Sequence, residues 1–119
     1  MAILSSIPQL PTLDMERSIA FYTSKMGFSL SATFSGYAML QRDGVDLHLW
    51  YCEDPAVPES TGCYFRVDDV QKLYLEFAVQ ELVHPDGHLE DKPWGMREFA
   101  VLDDNGNLLR FGEEKERDN

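Results

Sequence analysis

Asp46, His48 and Trp50 alternate along the segment Val45-Asp46-Leu47-His48-Leu49-Trp50-Tyr51. Side chains swap faces at every residue of an extended strand. A carboxylate, an imidazole and an indole therefore share one face, while Val45, Leu47, Leu49 and Tyr51 share the other. The mostly aliphatic set suits packing under a helix. The polar and aromatic set suits a surface that lines a ligand. Three other segments divide in the same way. Ala38 and Leu40 oppose Tyr37, Met39 and Gln41. Cys63, Phe65 and Val67 oppose Tyr64 and Arg66. Leu109 and Phe111 oppose Leu108 and Arg110.

Other chemistry is scarce. His84 and His88 flank Pro85-Asp86-Gly87, and proline and glycine mark a loop, in which a four-residue spacing has no helical meaning. They read as structural or solvated. Cys52 and Cys63 are not spaced as a zinc or redox pair and read as reduced thiols. No serine sits in a Gly-x-Ser-x-Gly elbow, and there is no phosphate-cradling loop or dinucleotide fingerprint. The net charge of −11 over 119 residues repels phosphate backbones, argues against a nucleic-acid partner and attracts cations. No apolar run approaches the ~20 residues that span a bilayer. The segment Met1 to Ile7 lacks a basic stretch and a long apolar one, so a cytoplasmic protein is expected. Residues Glu113 to Asn119 read as a charged, solvated tail.

These side chains need elements to hold them. Ala2 to Leu10 reads as a strand, with Pro8 suggesting an edge or an exchange between subunits. Asp14 is an N-cap. Met15, Ile19, Tyr22 and Met26 then form one face of a helix that Gly27 ends. Strands follow at Phe28–Phe34, Tyr37–Arg42 and Val45–Tyr51, with Asp43-Gly44 as a two-residue hairpin turn. Glu53 to Thr61 reads as a linker. The plan then restarts: a strand at Cys63–Val67, an N-cap at Asp68 or Asp69, and a helix through Val70, Leu73, Tyr74 and Phe77. A loop with Pro85, Gly87 and Pro93 leads to strands at Arg97–Leu102 and Asn107–Gly112, with Asn105-Gly106 as a second two-residue turn.

A shift of 55 residues lays Asp14 on Asp69, Met15 on Val70, Ile19 on Tyr74 and Tyr22 on Phe77. The chain is therefore expected to be one domain, residues 1–119, of the α+β class. It would be built from two βαβββ modules, about 1–52 and 62–114. One such module leaves long open edges. Two side by side make a curved mixed sheet with both helices on its outer face, and the concave face is free to form a cavity.

Five segments carry a family resemblance. They are Leu13-Asp14-Met15-Glu16-Arg17-Ser18-Ile19-Ala20-Phe21-Tyr22, Leu40-Gln41-Arg42-Asp43-Gly44-Val45, Arg66-Val67-Asp68-Asp69-Val70, Pro93-Trp94-Gly95-Met96-Arg97-Glu98-Phe99-Ala100 and Asp104-Asn105-Gly106-Asn107-Leu108-Leu109-Arg110-Phe111. From about Ile7 to about Glu114 the chain resembles the bleomycin-resistance proteins of the vicinal oxygen chelate superfamily, which also holds glyoxalases and dioxygenases. The first segment is shared across that superfamily. The Trp94-to-Ala100 and Leu108-to-Phe111 segments are similar to the resistance proteins in particular.

The resemblance implies a homodimer, with an exchanged N-terminal strand, that sequesters a bleomycin-type glycopeptide in grooves at the subunit interface without modifying it. Enzymes of the superfamily hold a divalent metal with four side chains, and the matching positions here are Ile7, His48, Gly62 and Arg110. A slip of two residues would bring Gln9 to the first. One histidine beside a permanent cation is too few donors, so no metal, no cofactor and no catalysis are expected. By position, Tyr37, Tyr64 and Trp94 match aromatic ligand contacts. His48 and Trp50 are added by strand parity and Phe34 from a neighbouring bend. Glu98 and Asp46 are candidates to meet a cation, and Arg110 lies near the groove. Tyr64 stands where some family members place tryptophan, and Arg66 and Arg110 bring positive charge. Both departures leave room for another aromatic drug or a metabolite as the ligand. The first rival reading is a metal-dependent lyase or dioxygenase, and the second is a ligand-responsive or scaffolding protein with no drug role.

Overall fold

Aspartate side chains start both long helices, because a helix leaves its first N–H groups without internal partners. In the computed structural model, which describes residues 1–115, Asp14 accepts from the Arg17 amide at the head of α1 (Met15–Lys25). Asp69 accepts from the Lys72 amide at the head of the second long helix (Val70–Val79). Met26 caps the C-terminal end of α1, and Gly27 takes the positive φ that the chain reversal needs.

Three strands follow α1: β2 (Ser29–Phe34), β3 (Tyr37–Arg42) and β4 (Val45–Tyr51). Asp43 and Gly44 both have positive φ, as a two-residue hairpin between Arg42 and Val45 requires. β1 (Gln9–Thr12) lies parallel to β4, giving the sheet order β1-β4-β3-β2. Pro11 has no N–H to donate, and the edge position of β1 tolerates this.

The expected first strand, Ala2 to Leu10, is corrected. Pro8 only accepts one bond, from the His48 amide at 3.0 Å, and the ladder starts at Gln9. Met1 to Ile7 forms no strand within the chain. Ile3 and Leu4 are each 94% exposed.

The second half repeats the order. The segment expected to be a linker contains a short helix, α2 (Ala56–Glu59). β5 (Gly62–Arg66) and α3 (Val70–Val79) lead to β6 (Glu90–Asp91), β7 (Met96–Leu102) and β8 (Leu108–Glu114). The sheet order is β5-β8-β7-β6, with β5 parallel to β8. The hydrogen-bonded ladders thus form two four-stranded mixed sheets of the α+β type.

Two sequence expectations change in this half. Asn105-Gly106 is not a two-residue turn, since Leu102 pairs with Leu108 across a five-residue loop. Asp103 organises that loop by accepting from the Asn105 and Asn107 amides, each at 2.9 Å. The supposed tail begins as strand: Glu113 and Glu114 belong to β8, and Lys115 bridges Asp91 at 3.1 Å. The rest of that tail, residues 116–119, lies outside the described residues.

One apolar core joins the halves. Tyr22, Met26, Ala38, Leu40, Leu47, Leu49, Val70 and Leu109 are all fully buried, each large aliphatic contributing about 1.5–3 kcal/mol. Val45 and Tyr51, expected on the packed face, are about half exposed because they sit at the strand ends. Phe65 and Phe111 stack at 5.1 Å, and Phe28 reaches Phe65 across the halves at 6.4 Å. A polar seam adds to this. Tyr22 donates to buried Asp103 at 2.6 Å, Asn107 donates to the Pro11 carbonyl at 2.9 Å, and Ser18 donates to Asp104 at 2.8 Å.

Candidate functional site

Strand parity places the candidate side chains on the sheet faces that the helices do not cover. In the first sheet, register sets Phe34 opposite Tyr37, Tyr37 opposite Trp50, His48 opposite Met39 and Asp46 opposite Gln41. Tyr37, His48 and Trp50 are half-buried, while Asp46 and Phe34 are exposed. Tyr37 Oη lies 2.7 Å from His48 Nδ1, and Gln9 Nε2 donates to the same oxygen at 3.1 Å. The hydrogen of the Tyr37–His48 bond sits on the oxygen or on Nδ1 according to the imidazole tautomer.

In the second sheet, Glu98 of β7 is 6% exposed and collects two aromatic donors on one atom. Tyr64 Oη donates to Glu98 Oε2 at 2.7 Å, and Trp94 Nε1 donates to it at 3.0 Å. Burial, then the hydrogen bond and charge of Glu98, hold the Tyr64 phenol above its ordinary pKa and keep it a donor. Trp94, Glu98 and Arg110 line a cleft of about 310 Å³. Lys92, tied to Glu90, sits 5.9 Å from the centroid of the Trp94 ring.

The nine expected site residues therefore fall into two sets within one chain. Phe34, Tyr37, Asp46, His48 and Trp50 belong to the first sheet. Tyr64, Trp94, Glu98 and Arg110 belong to the second. Among the described residues no hydrogen bond or ring contact joins the sets. His84 and His88 line the second cleft alongside Trp94, a position the sequence did not reveal. Both also brace their loop, His84 Nδ1 accepting from the Asp86 amide and His88 Nδ1 lying 3.2 Å from Tyr74 Oη. From the sequence, Gln9 reaches the matching position in the first strand only by a slip of two residues. A four-residue edge strand carries too little pattern to fix its own pairing.

Register also moves two of the four positions compared with metal ligands. Gln9, not Ile7, faces His48 across β1 and β4. Tyr64, not Gly62, faces Arg110 across β5 and β8. The set Gln9, His48, Tyr64 and Arg110 does not fit a divalent ion. The Gln9 amide and His48 Nδ1 are spent on Tyr37, the Tyr64 phenol is held protonated, and arginine is a permanent cation. No group of three His, Cys, Asp or Glu side chains among the described residues could hold one elsewhere. Nor is any described helix long and apolar enough to cross a membrane.

Residues 6–111 match the family model of the Glyoxalase/Bleomycin resistance protein/Dioxygenase superfamily. The chain belongs to this superfamily. Within it, the chain is 34% identical to bleomycin resistance proteins of Geobacillus stearothermophilus and Staphylococcus aureus, over 92% of its own length and 96% of theirs. Its fold superposes on a bleomycin resistance determinant encoded on the transposon Tn5 with a TM-score of 0.83 and 25% identity, covering 96% of this chain and all of that one. It also matches a bleomycin-binding protein complexed with bleomycin, with a TM-score of 0.80 and 26% identity over 95% of this chain and all of the other. Superfamily membership alone does not select a chemistry, because one fold hosts many functions.

Proposed function

We propose that this chain binds a bleomycin-type glycopeptide antibiotic and sequesters it without chemical modification. The observation that carries the reading is the pairing of the Trp94 and Tyr64 rings with the buried Glu98 carboxylate. Such drugs combine a flat bithiazole with a cationic tail. Trp94 and Tyr64 are placed to stack on the first, and an acidic protein attracts the second. Tyr37, His48, Trp50 and Phe34 supply rings on the other sheet, Asp46 supplies a carboxylate, and Arg110 borders the cleft. The resistance proteins that the chain resembles at 34% identity favour this ligand class over others.

The reading includes a homodimer. The two sets of residues lie on separate sheets of one chain, and a second copy would bring the first sheet of one protomer against the second sheet of the other. The arm Met1–Ile7 leaves Ile3 and Leu4 bare, and exchange with a partner would cover them. The proposed protein works in the cytoplasm, with no cofactor and no catalytic step.

A bleomycin titration followed by Trp50 and Trp94 fluorescence tests this. Saturable quenching at about one drug per chain, with Kd of roughly micromolar or below, is expected. No response at high micromolar drug would transfer the reading to another aromatic ligand. The rival metal-dependent lyase or dioxygenase requires stoichiometric nickel, zinc, iron or manganese in purified protein, which elemental analysis measures directly.

A further inference from the structure

Glu98 shows a combination of three properties that Asp46, the other candidate carboxylate, does not share. It is almost wholly buried, at 6% exposure. It makes no ion pair among the described residues. Its two hydrogen bonds fall on a single oxygen, Oε2, from Tyr64 and Trp94. The other oxygen, Oε1, has no partner among them. No buried side-chain oxygen or nitrogen is without a partner, so Oε1 keeps access to the surface. A carboxylate with one oxygen at the surface and no counterion among the described residues can take a charge-assisted hydrogen bond from an arriving cation.

The surroundings are built around the same group. A Cβ on Gly112 would come within 1.9 Å of Tyr64 Oη and 3.1 Å of Glu98 Cγ, so a bare glycine in β8 makes room for the Tyr64–Glu98 bond. Trp94 is 63% exposed, and the bond from its indole N–H to Glu98 is its one side-chain hydrogen bond among the described residues. Lys92 lies over one face of that ring, and Trp94 lines the cleft. Lys92 bridges Glu90 and makes no salt bridge to Glu98.

We infer that Glu98 is the positioning and specificity residue of the second cleft: Oε2 fixes the planes of Trp94 and Tyr64, and Oε1 receives an N–H cation carried by a flat ligand. The ligand class is thus a planar heteroaromatic ring bonded to a protonated amine or amidine. This deepens the ligand-holding reading above and rests on it for the site. It does not rest on bleomycin as the ligand.

Two variants and two probes test it. Glu98→Gln keeps an oxygen acceptor but removes the charge, while Glu98→Leu fills similar space with no acceptor. The flat diamidine 4′,6-diamidino-2-phenylindole and the neutral 2-phenylindole differ in the cation. The wild type should prefer the diamidine by at least ~10-fold, and Glu98→Gln should abolish that preference. In ligand-free protein, the Trp94 indole N–H proton signal should lie downfield in the wild type and move upfield in Glu98→Gln. In a Trp50→Phe background, Glu98→Leu should lower the fluorescence anisotropy of Trp94. Equal affinity for the two probes in the wild type, or an unchanged preference in Glu98→Gln, overturns the cation assignment. An unmoved indole signal overturns the positioning role even if Glu98→Leu fails to fold. If the diamidine binds as expected but bleomycin does not, the drug reading fails and this one stands. If bleomycin binds equally to wild type and Glu98→Gln, the reverse holds.

Discussion

The rings around Glu98 differ in how they can fail. Trp94 projects from the loop before β7 and is mostly exposed, so removing it should cost ligand contact and little fold. Trp94→Ala is expected to weaken bleomycin binding by about 1–3 kcal/mol, the scale of an aromatic anchor. Calorimetry would read this, with an unchanged melting temperature as control. Gly112→Ala acts the other way, by addition. The new methyl group would displace Tyr64 Oη from Glu98, and the expected result is a folded protein with at least ~10-fold weaker binding, or roughly 1.4 kcal/mol. Parity made Tyr37, His48, Trp50 and Tyr64 legible as one face of their strands, because alternation is a local property. It did not reveal the Tyr37–His48 bond or the sharing of Oε2, which depend on partners 11 and 34 residues away. Nor did it show that His84 and His88 border the cleft, since loop residues have no period to read.

The elements were clearest where one residue decides their geometry. Asp14, Asp69 and the Asp43-Gly44 turn were all readable for that reason. The Asn105-Gly106 pair reads as a two-residue turn, but Asp103 stabilises the wider loop 103–107 and ties it to the other half. Its carboxylate accepts from Tyr22, Asn105 and Asn107, including the Asn107 side chain at 2.8 Å. Burial pushes the Asp103 carboxyl up, and the bonds from Tyr22 and Asn107 only partly oppose this. A folded pKa above the unfolded value of about 3.9 means that the native state binds the proton more tightly. The contribution of Asp103 to stability is then fullest below about pH 3.9 and is lost as pH rises through the folded value. Asp103→Asn faces the Asn107 amide with another donor and should cost about 1–3 kcal/mol. Urea unfolding of both proteins from pH 3.5 to 7 should show their stability difference shrinking as pH rises. The two-residue strand β6 is too short to show a pattern, and it is held by Asp91 to Arg97 at 2.6 Å.

For the molecule as a whole, the repeat predicted two similar halves, and the structure has two mixed sheets of matching order. What the repeat could not state was whether both sets of site residues serve one groove. Within a single chain they do not meet, so the proposed site depends on a second copy. Deleting residues 1–8 removes the bare arm and the Pro8 carbonyl that receives His48. The expected outcome is a shift from dimer to monomer in sedimentation velocity, together with loss of bleomycin binding. A truncated chain that stays dimeric would place the interface elsewhere.

The seam between the halves consists of side-chain bonds and packed rings, not a continuous strand ladder. Covalent continuity through Glu53–Thr61 is therefore not what holds the halves against each other. A chain severed after Glu53 should yield two pieces that recombine on mixing. Recovery of the native circular dichroism spectrum, and its absence when Tyr22 and Asn107 are both replaced by alanine, would make this architecture a natural template for a split reporter.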